Sequence, residues 1–278
     1  MRGVYFLAND SMFEQCIAFL TSFRLNNPSI PLVLIPFDHS IQRLTSLQQK
    51  YRFSIWDREE VLRTCDELCC LVKGRSYGHF RKLACWEGPF DEFIYIDSDT
   101  VVLEALDLVF GFLSQCDFLT SHSNIASIRK WVWKDSLAWD NSLTREQIAY
   151  SANTGFMCSK RNAVRVPDAF TAWHRIGSLA EHLNTELIDQ PFLNYFIVTS
   201  GLTFSSLYSI FLKNRAVDIP LERWGGRELG PTLNGRFLSA MFPRTLLVHW
   251  AGEWKLAHAE NREILNSNLW KYYRYLDP

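Results

Sequence analysis

The stretch FIYIDSDTVVL, residues 93–103, decides the fold of this chain. Its first four residues are apolar, aromatic or β-branched, which favours a buried strand. The acidic pair Asp97 and Asp99 follows where that strand ends. Ligands of open α/β sheets bind beyond the carboxyl ends of strands, and residues i and i+2 of an extended chain point to the same side. The stretch therefore predicts two carboxylates on one side, a hard-oxygen site for a cation.

Two acidic residues at a strand end more often form a solvated turn or a helix cap. The apolar segments on both sides favour the cation site here, because they place the pair between buried elements. Haloacid-dehalogenase-like phosphatases also carry two Asp at a strand end, close to the N-terminus, with Gly-Thr directly after the second. In this chain Thr100 and Val101 occupy those two positions, so the phosphatase is the weaker alternative.

Elements on either side of this stretch alternate between strand and helix patterns. Strands are predicted over 4–8, 31–37, 53–56, 93–96, 118–120 and 246–248, and helices over 12–25, 41–51, 57–73, 79–86 and 106–113. This order predicts an α/β fold with a mainly parallel sheet. Residues 129–150 are Trp-rich and polar, and residues 208–243 hold many Gly, Pro, Arg and aromatic residues. Both segments are predicted to be variable loops around a site and not core.

Composition narrows the class of protein. The 278 residues are 47% hydrophobic and 21% charged with a formal net charge of -1, so a sizeable core is available and nucleic acid is not a general partner. The seven cysteines include no CxxC pair, which indicates reduced thiols; a thiolate metal site or a cysteine nucleophile has no supporting spacing. No apolar run approaches the roughly 18 residues of a membrane span, so the expected location is cytoplasmic.

Further motifs follow in order along the chain. They are VYFLAND at 4–10, FRKL at 80–83, ANTGFM at 152–157, DQPFLN at 189–194 and HWAGEWK at 249–255. Together with residues 93–103 they resemble retaining glycosyltransferases of the GT-A fold, the group that includes glycogenin and the bacterial lipopolysaccharide galactosyltransferases. The resemblance implies one GT-A domain over 1–278, with a nucleotide-binding half at 1–125 and an acceptor-side half at 126–278 that supplies the last metal ligand.

By that resemblance, a nucleotide diphosphate sugar, with UDP as the expected nucleotide, is the donor. Asp97, Asp99 and His249 would bind the cation, for which the imidazole favours Mn²⁺ over Mg²⁺. The residues implied to contact the nucleotide are Leu7, Ala8, Asn9, Asp10, Lys82, Asp97, Ser98, Gly252 and Lys255. Ordinary alternatives stay open: a plain first strand at 4–8, a solvated helix lysine at 82, and a polar residue without a ligand at 249.

The same resemblance implies which residues contact the donor sugar and how the reaction proceeds. Asn153 would reach the donor sugar, Asp189 would accept hydrogen bonds from its hydroxyls, and Gln190 would lie near the anomeric carbon. A turn at Asn153 and a helix cap at Asp189 are the plainer interpretations. The resemblance implies a hexosyltransferase that retains anomeric configuration, preferably by same-face attack and not through a covalent intermediate.

The resemblance leaves the acceptor side open. Leu256 and Ala257 stand where the family often has Pro-Trp, and residues 129–150 and 208–243 match no part of it. The acceptor is therefore an unidentified glycan, glycolipid or protein. Residues 269–278 interleave aromatic and basic side chains, which suits weak contact with a membrane surface or, more plainly, a packed last helix. A silent sugar-nucleotide or glycan-binding protein and a sugar nucleotidyltransferase are the remaining alternatives.

Overall fold

The fold is built on a seven-stranded sheet. A computed structural model of the protein describes residues 1–139 and 141–276. The strands are β1 (Arg2–Ala8), β2 (Leu32–Pro36), β3 (Ser54–Ile55), β4 (Glu92–Asp97), β5 (Thr100–Val102), β6 (Phe118–Thr120), β7 (Phe156–Lys160), β8 (Phe204–Ser206), β9 (Leu221–Trp224), β10 (Thr232–Leu233), β11 (Arg236–Phe237) and β12 (Thr245–His249). The central sheet has the order β3-β2-β1-β4-β7-β6-β8. Only β7 runs antiparallel to its neighbours, so the predicted α/β class with a mostly parallel sheet is confirmed.

Helices cover the two faces of this sheet. They are α1 (Phe13–Asn26), α2 (Gln42–Thr45), α3 (Gln48–Tyr51), α4 (Glu59–Lys73), α5 (Asp107–Gly111), α6 (Ala126–Arg129), α7 (Arg145–Tyr150), α8 (Val166–Arg175), α9 (Gln190–Thr199), α10 (Leu207–Lys213), α11 (Glu253–Ala259) and α12 (Ser267–Tyr275). Successive side chains of a strand point to opposite faces. Accordingly, Tyr5 and Tyr95 pack into the core beneath α4 and α9, while Phe6 and Ile96 pack into the core beneath α1.

A second, three-stranded sheet lies beside the first, in the order β5-β12-β9. Strand β12 runs antiparallel to β5 and parallel to β9. Because β5 follows β4 after only two residues, the acidic pair occupies the corner between the sheets. This corner brings the C-terminal strand β12 to the carboxyl end of β4.

Several predicted elements differ in detail. The single helix predicted over 41–51 is two short helices, because the N–H groups of Ser46 and Leu47 bond to Arg43 and Leu44, three residues back. The Ser46 hydroxyl also bonds to the Arg43 carbonyl, 2.6 Å away, and competes with the helical pattern. The helix predicted over 79–86 is a 3₁₀ helix, Gly78–Glu87, and that over 106–113 is α5 followed by a 3₁₀ turn.

The prediction that 129–150 and 208–243 lie outside the core is wrong for parts of both segments. Val132, Trp133 and Leu137 are at most 2% exposed and belong to one of the large hydrophobic clusters. Ile219 and Leu221 are likewise buried. Apolar side chains spaced irregularly in these two segments give no periodic signal, so only long-range packing reveals them. Residue 140 of the first segment lies outside the described residues.

The C-terminal segment forms a packed helix in its described part. In α12, Leu269 is fully buried and Tyr273 is 6% exposed, and Arg274 forms an ion pair with Glu14 of α1. Residues 277 and 278 lie outside the described part, and contact with a membrane stays a prediction. Among the described residues, no helix has both the length and the apolar character to cross a membrane. All seven cysteines are free thiols, as predicted.

Candidate metal and nucleotide site

Three side chains converge at the corner between the two sheets. Asp97 ends β4, and the Asp99 carbonyl accepts a hydrogen bond from the Trp250 N–H, 3.0 Å away. This contact and the pairing of His249 with Thr100 bring the imidazole next to the acidic pair. One ligand atom from each of Asp97, Asp99 and His249 lies within 4.8 Å of the others. In the part of the chain that the structure describes, no other His, Cys, Asp or Glu group meets this criterion.

The arrangement suits a divalent cation. His249 Nε2 lies 3.1 Å from Asp99 Oδ1 and 3.7 Å from Asp97 Oδ2. It is buried and has no hydrogen-bond partner of good geometry. The Asp97 side chain is 27% exposed and that of Asp99 14%, against 2% for His249, so the group opens on the carboxylate side. A neutral imidazole and two carboxylates are a suitable donor set for Mn²⁺.

Gly155 leaves the space that this group occupies. A Cβ atom at this position would lie 2.2 Å from His249 Cε1 and 2.8 Å from Asp97 Oδ2. The Gly155 carbonyl also accepts a hydrogen bond from the Asp97 N–H at 2.8 Å. The Asn-x-Gly motif that suggested a turn therefore also shapes the wall of the cation site.

On its other side, His249 contacts a residue that the sequence did not reveal. Its Nδ1 lies 2.8 Å from Glu222 Oε1, and Glu222 belongs to β9, inside the segment predicted to be a loop. Burial alone would lower the pKa of His249, but in the metal-free group the carboxylates of Asp99 and then Glu222 raise it well above its usual value. A cation at Nε2 would take the place of the proton on that nitrogen. A glutamate in a segment without periodicity gives no signal from which this contact could be predicted.

Lys82 forms ion pairs with two carboxylates, Asp97 of the cation site and Asp189 next to it. Its Nζ lies 2.8 Å from Asp189 Oδ2 and 3.3 Å from Asp97 Oδ1, and its side chain is 4% exposed. Burial acts to raise the pKa of Asp189, but the Lys82 ammonium outweighs it and holds that pKa below its usual value. Tyr95 donates a further hydrogen bond to Asp97. The predicted nucleotide-facing lysine is thus an internal counter-ion between two predicted site residues.

The residues predicted to contact the sugar lie in one hydrogen-bonded network. Asn153 donates from Nδ2 to Glu222 at 3.0 Å and accepts from the Gly155 N–H at 2.9 Å. Gln190 accepts a hydrogen bond from the Thr154 N–H at 3.3 Å. Asp189 precedes α9 without capping it through its side chain. These contacts preorganise the loop before β7 beside the cation site.

The predicted nucleotide cradle lies at the end of β1. Leu7 and Ala8 are buried strand residues, and the Leu7 carbonyl accepts a hydrogen bond from the Ser98 hydroxyl at 3.0 Å. Both carboxylate oxygens of Asp10 accept hydrogen bonds from the first N–H groups of α2, at 3.0 Å each. Asn9 accepts a hydrogen bond from the Ser11 N–H at 3.1 Å. Ser98 thus joins this strand end to the acidic pair. Asp10 caps α2, and its predicted contact with the nucleotide stays a prediction.

Gly252 and Lys255 follow the cation site on β12. Gly252 has a φ of +70° and starts α11, and no atom lies within 4 Å of the position of a Cβ there. This left-handed conformation favours glycine. Lys255 is exposed on the first turn of α11. Gly252 and Lys255 are thus both exposed, and their predicted contact with a diphosphate stays a prediction.

Comparisons with known proteins identify the fold. The galactosyltransferase LgtC, solved in complex with donor and acceptor sugar analogs, matches with a TM-score of 0.60, 13% identity and coverage of 100% of this chain and 98% of that one. The glycosyltransferase GlyE of Streptococcus pneumoniae TIGR4 matches with a TM-score of 0.57 and 14% identity, over 100% of this chain and 62% of that one. Mouse xyloside xylosyltransferase 1 matches with a TM-score of 0.57 and 13% identity, over 90% of this chain and 97% of that one. This chain has the GT-A fold. It spans less than two thirds of GlyE, and the likeness at these identities is one of fold.

No protein-family model matches the sequence, and no curated protein matches it either. The GT-A fold that the sequence motifs predicted is therefore supported by structural likeness, which extends across the whole chain.

Proposed function

We propose that this protein is a metal-dependent glycosyltransferase that moves a hexose from a nucleotide diphosphate sugar, with UDP as the expected nucleotide and Mn²⁺ (or Mg²⁺) as the cation. The observation that carries the proposal is the convergence of Asp97, Asp99 and His249, with the buried Nε2 facing both carboxylates. The group lies at the carboxyl end of β4, where ligands of open α/β sheets bind. The GT-A fold, which this chain shares with solved glycosyltransferases, supports the proposal.

The reaction breaks the bond between the anomeric carbon and the β-phosphate oxygen. A cation held by Asp97, Asp99 and His249 would supply Lewis-acid stabilisation of the negative charge that develops on the diphosphate. On the protein, Lys255 is exposed on the first turn of α11, six residues after His249, and would place a positive charge near the departing phosphates. Gly252 leaves open space through which backbone N–H groups approach a phosphate. Such preorganised charges are expected to make the largest contribution to the rate.

The buried network orients the sugar. Asp189 and Asn153 are held by Lys82 and Glu222 respectively, so their polar atoms need little reorganisation when the donor binds. Because the Asp189 carboxylate is already paired with an ammonium and bonded by the Thr154 hydroxyl at 3.3 Å, it is a poor nucleophile. Given the proposed retention of configuration, this favours same-face attack over a covalent intermediate. The acceptor oxygen then bonds to the anomeric carbon, beside which we place Gln190, and the departing phosphate oxygen accepts the acceptor's proton.

The nucleotide is proposed to lie along the end of β1, with Leu7, Ala8, Asn9 and Asp10 beside the base and ribose. The hydrogen bond from Ser98 to Leu7 supports this placement, since it joins the strand end to the acidic pair. The acceptor, a glycan, glycolipid or protein, is proposed to bind on the side formed by residues 126–278. A donor that lies between the two halves would meet the acceptor over the cation site.

A catalytically silent sugar-nucleotide-binding protein is the main competing function. The complete ligand set, with Gly155 clearing the space for it, favours the enzyme. Tight UDP binding with no turnover toward any donor would support the silent alternative. A nucleotidyltransferase would need a Gly-rich basic first loop, and Asn9-Asp10-Ser11-Met12 is not one.

The proposal is tested by a donor screen, in which UDP- and GDP-sugars are incubated with Mn²⁺ and scored for hydrolysis. Asp99→Asn should remove the metal-dependent hydrolysis of the best donor. Asp107→Asn, which changes an Asp at the start of α5, is the matched control and should retain it. Undiminished turnover by Asp99→Asn would overturn the assignment of the cation site. An NMR assignment of the product's anomeric configuration tests retention, and an inverted product would refute it.

A further inference from the structure

The imidazole of His249 lies between two sets of carboxylates. Nε2 faces the aspartates of the proposed cation site, and Nδ1 lies 2.8 Å from Glu222 Oε1. His249 is 2% exposed and Glu222 is 6% exposed. The pair is therefore removed from water, and its geometry is set by the surrounding protein.

The Glu222 carboxylate is fully engaged by hydrogen-bond donors. Oε1 also accepts from Asn153 Nδ2 at 3.0 Å, and Oε2 accepts from the Ser121 hydroxyl. A buried carboxylate held by three side chains has little freedom to turn away from His249.

We propose that Glu222 is a positioning residue of the cation site, which holds His249 with Nδ1 protonated and Nε2 available to bind the metal. Histidines that bind metals commonly donate their other N–H to a carboxylate, which fixes the tautomer and the ring orientation and makes the ligand more basic. The inference rests on the proposed function, because it concerns how that function's cation is held.

The alternative tautomer is unfavourable in this setting. It would turn the Nδ1 lone pair toward the Glu222 carboxylate 2.8 Å away and direct an N–H into the position of the cation. Glu222 also joins the cation site to Asn153, which we propose contacts the donor sugar. A change at Glu222 is therefore expected to weaken metal binding and to raise the KM for the donor.

The experiment measures Mn²⁺ affinity by electron paramagnetic resonance for the wild type, Glu222→Gln and Glu222→Ala. The Glu222→Ala variant should bind Mn²⁺ about 10- to 100-fold more weakly, as is typical when a partner of a metal-bound histidine is removed. The Glu222→Gln variant should recover part of that loss, because its amide oxygen still accepts the Nδ1–H while the charge is gone. A purely structural role would not give this graded rescue at equal thermal stability.

The matched control is Glu87, whose side chain is 16% exposed and accepts a hydrogen bond from the Val166 N–H at 3.1 Å. It precedes β4 at the end of the strand away from the cation. Glu87→Gln and Glu87→Ala should keep the wild-type Mn²⁺ affinity. If Glu222→Ala does not fold, Glu222→Gln alone carries the test.

Two outcomes separate the inference from the proposed function. If Asp99→Asn loses Mn²⁺ while both Glu222 variants bind it as the wild type does, the positioning role is overturned and the cation site stands. If Asp99→Asn binds Mn²⁺ with wild-type affinity, the proposed cation site itself fails. Loss in Asp99→Asn with a graded loss in the Glu222 variants supports both.

Discussion

The cation corner, formed by Asp97, Asp99 and His249, differs sharply from the acceptor-side segments, residues 129–150 and 208–243. At the corner, charged groups are buried and joined by short polar contacts, with Lys82 and Glu222 behind them. The acceptor-side segments instead leave large apolar side chains in water. Those more than a third exposed are Trp131, Leu212, Val217, Trp224, Leu233, Leu238 and Phe242.

The difference between the buried polar corner and the exposed apolar segments agrees with the two roles proposed for them. A diphosphate with its cation is the same chemical object for any sugar, so its site can be rigid and preorganised. An acceptor varies, and loops on a rigid scaffold commonly carry such variation. The segments are not separate from the corner, however, because 208–243 supplies Glu222 through β9. Substitutions on both sides test how far the two regions are independent.

The largest effect is expected from Gly155→Ala. The added Cβ would lie 2.2 Å from His249 Cε1, which must displace a proposed ligand. We expect loss of Mn²⁺-dependent donor hydrolysis by more than a thousandfold, since the metal contributes roughly 5 kcal/mol to such a reaction. Gly111→Ala is the control, with no atom within 4 Å of its Cβ position and helical angles. Equal activity of the two variants would show that the corner tolerates crowding.

Lys82→Met should have the next largest effect, on stability. Removing the ammonium leaves Asp189 and Asp97 facing each other without their shared counter-ion. We expect a loss of about 3 kcal/mol in the free energy of unfolding, at the lower end for a broken buried pair because Asp97 is partly exposed. Urea denaturation measures it. A bound Mn²⁺ would supply a positive charge beside Asp97 in place of the ammonium, so adding Mn²⁺ and UDP should recover part of the lost stability. Unchanged stability of the variant, or no such recovery, would contradict this role.

Lys255→Ala should affect binding without affecting stability. Its side chain is exposed and lies outside the buried network. We expect UDP affinity to fall roughly 10- to 100-fold, the range of a charge-assisted contact, with an unchanged urea midpoint. Calorimetric titration with UDP and Mn²⁺ measures the affinity. Lys271→Ala on α12 is the control, and equal UDP affinity of both variants would remove Lys255 from the diphosphate site.

The smallest effect is expected from Leu238→Ser on the acceptor-side segment. Leu238 is 62% exposed, so the substitution should change the free energy of unfolding by less than about 0.5 kcal/mol. Donor hydrolysis should stay at the wild-type rate. A large loss of hydrolysis without acceptor would show that this segment, too, serves the donor.

The sequence by itself predicted the features that depend on local order. The apolar strand before Asp97, the spacing to Asp99, and the His-x-x-Gly-x-x-Lys spacing after His249 pointed to the fold and to the cation group that the structure brings together. Strand and helix periodicity placed most of the elements that it predicted within a few residues, and those lie mainly in the first half of the chain. It misjudged 41–51, where local side-chain hydrogen bonds break the helix.

Only the tertiary structure revealed which groups stand behind the site. Glu222 reaches His249 because β9 pairs with β12, and Lys82 reaches Asp189 because the Gly78–Glu87 segment lies against the start of α9. The two residues of each pair are far apart in the sequence. Neither Glu222 nor Lys82 belongs to a periodic pattern from which its charged partner could be predicted. Local residue patterns thus determined which side chains could bind a metal and a diphosphate. Strand register and long-range packing decided which buried charges hold them in place, because those pairings follow from the sheet and not from neighbours along the chain.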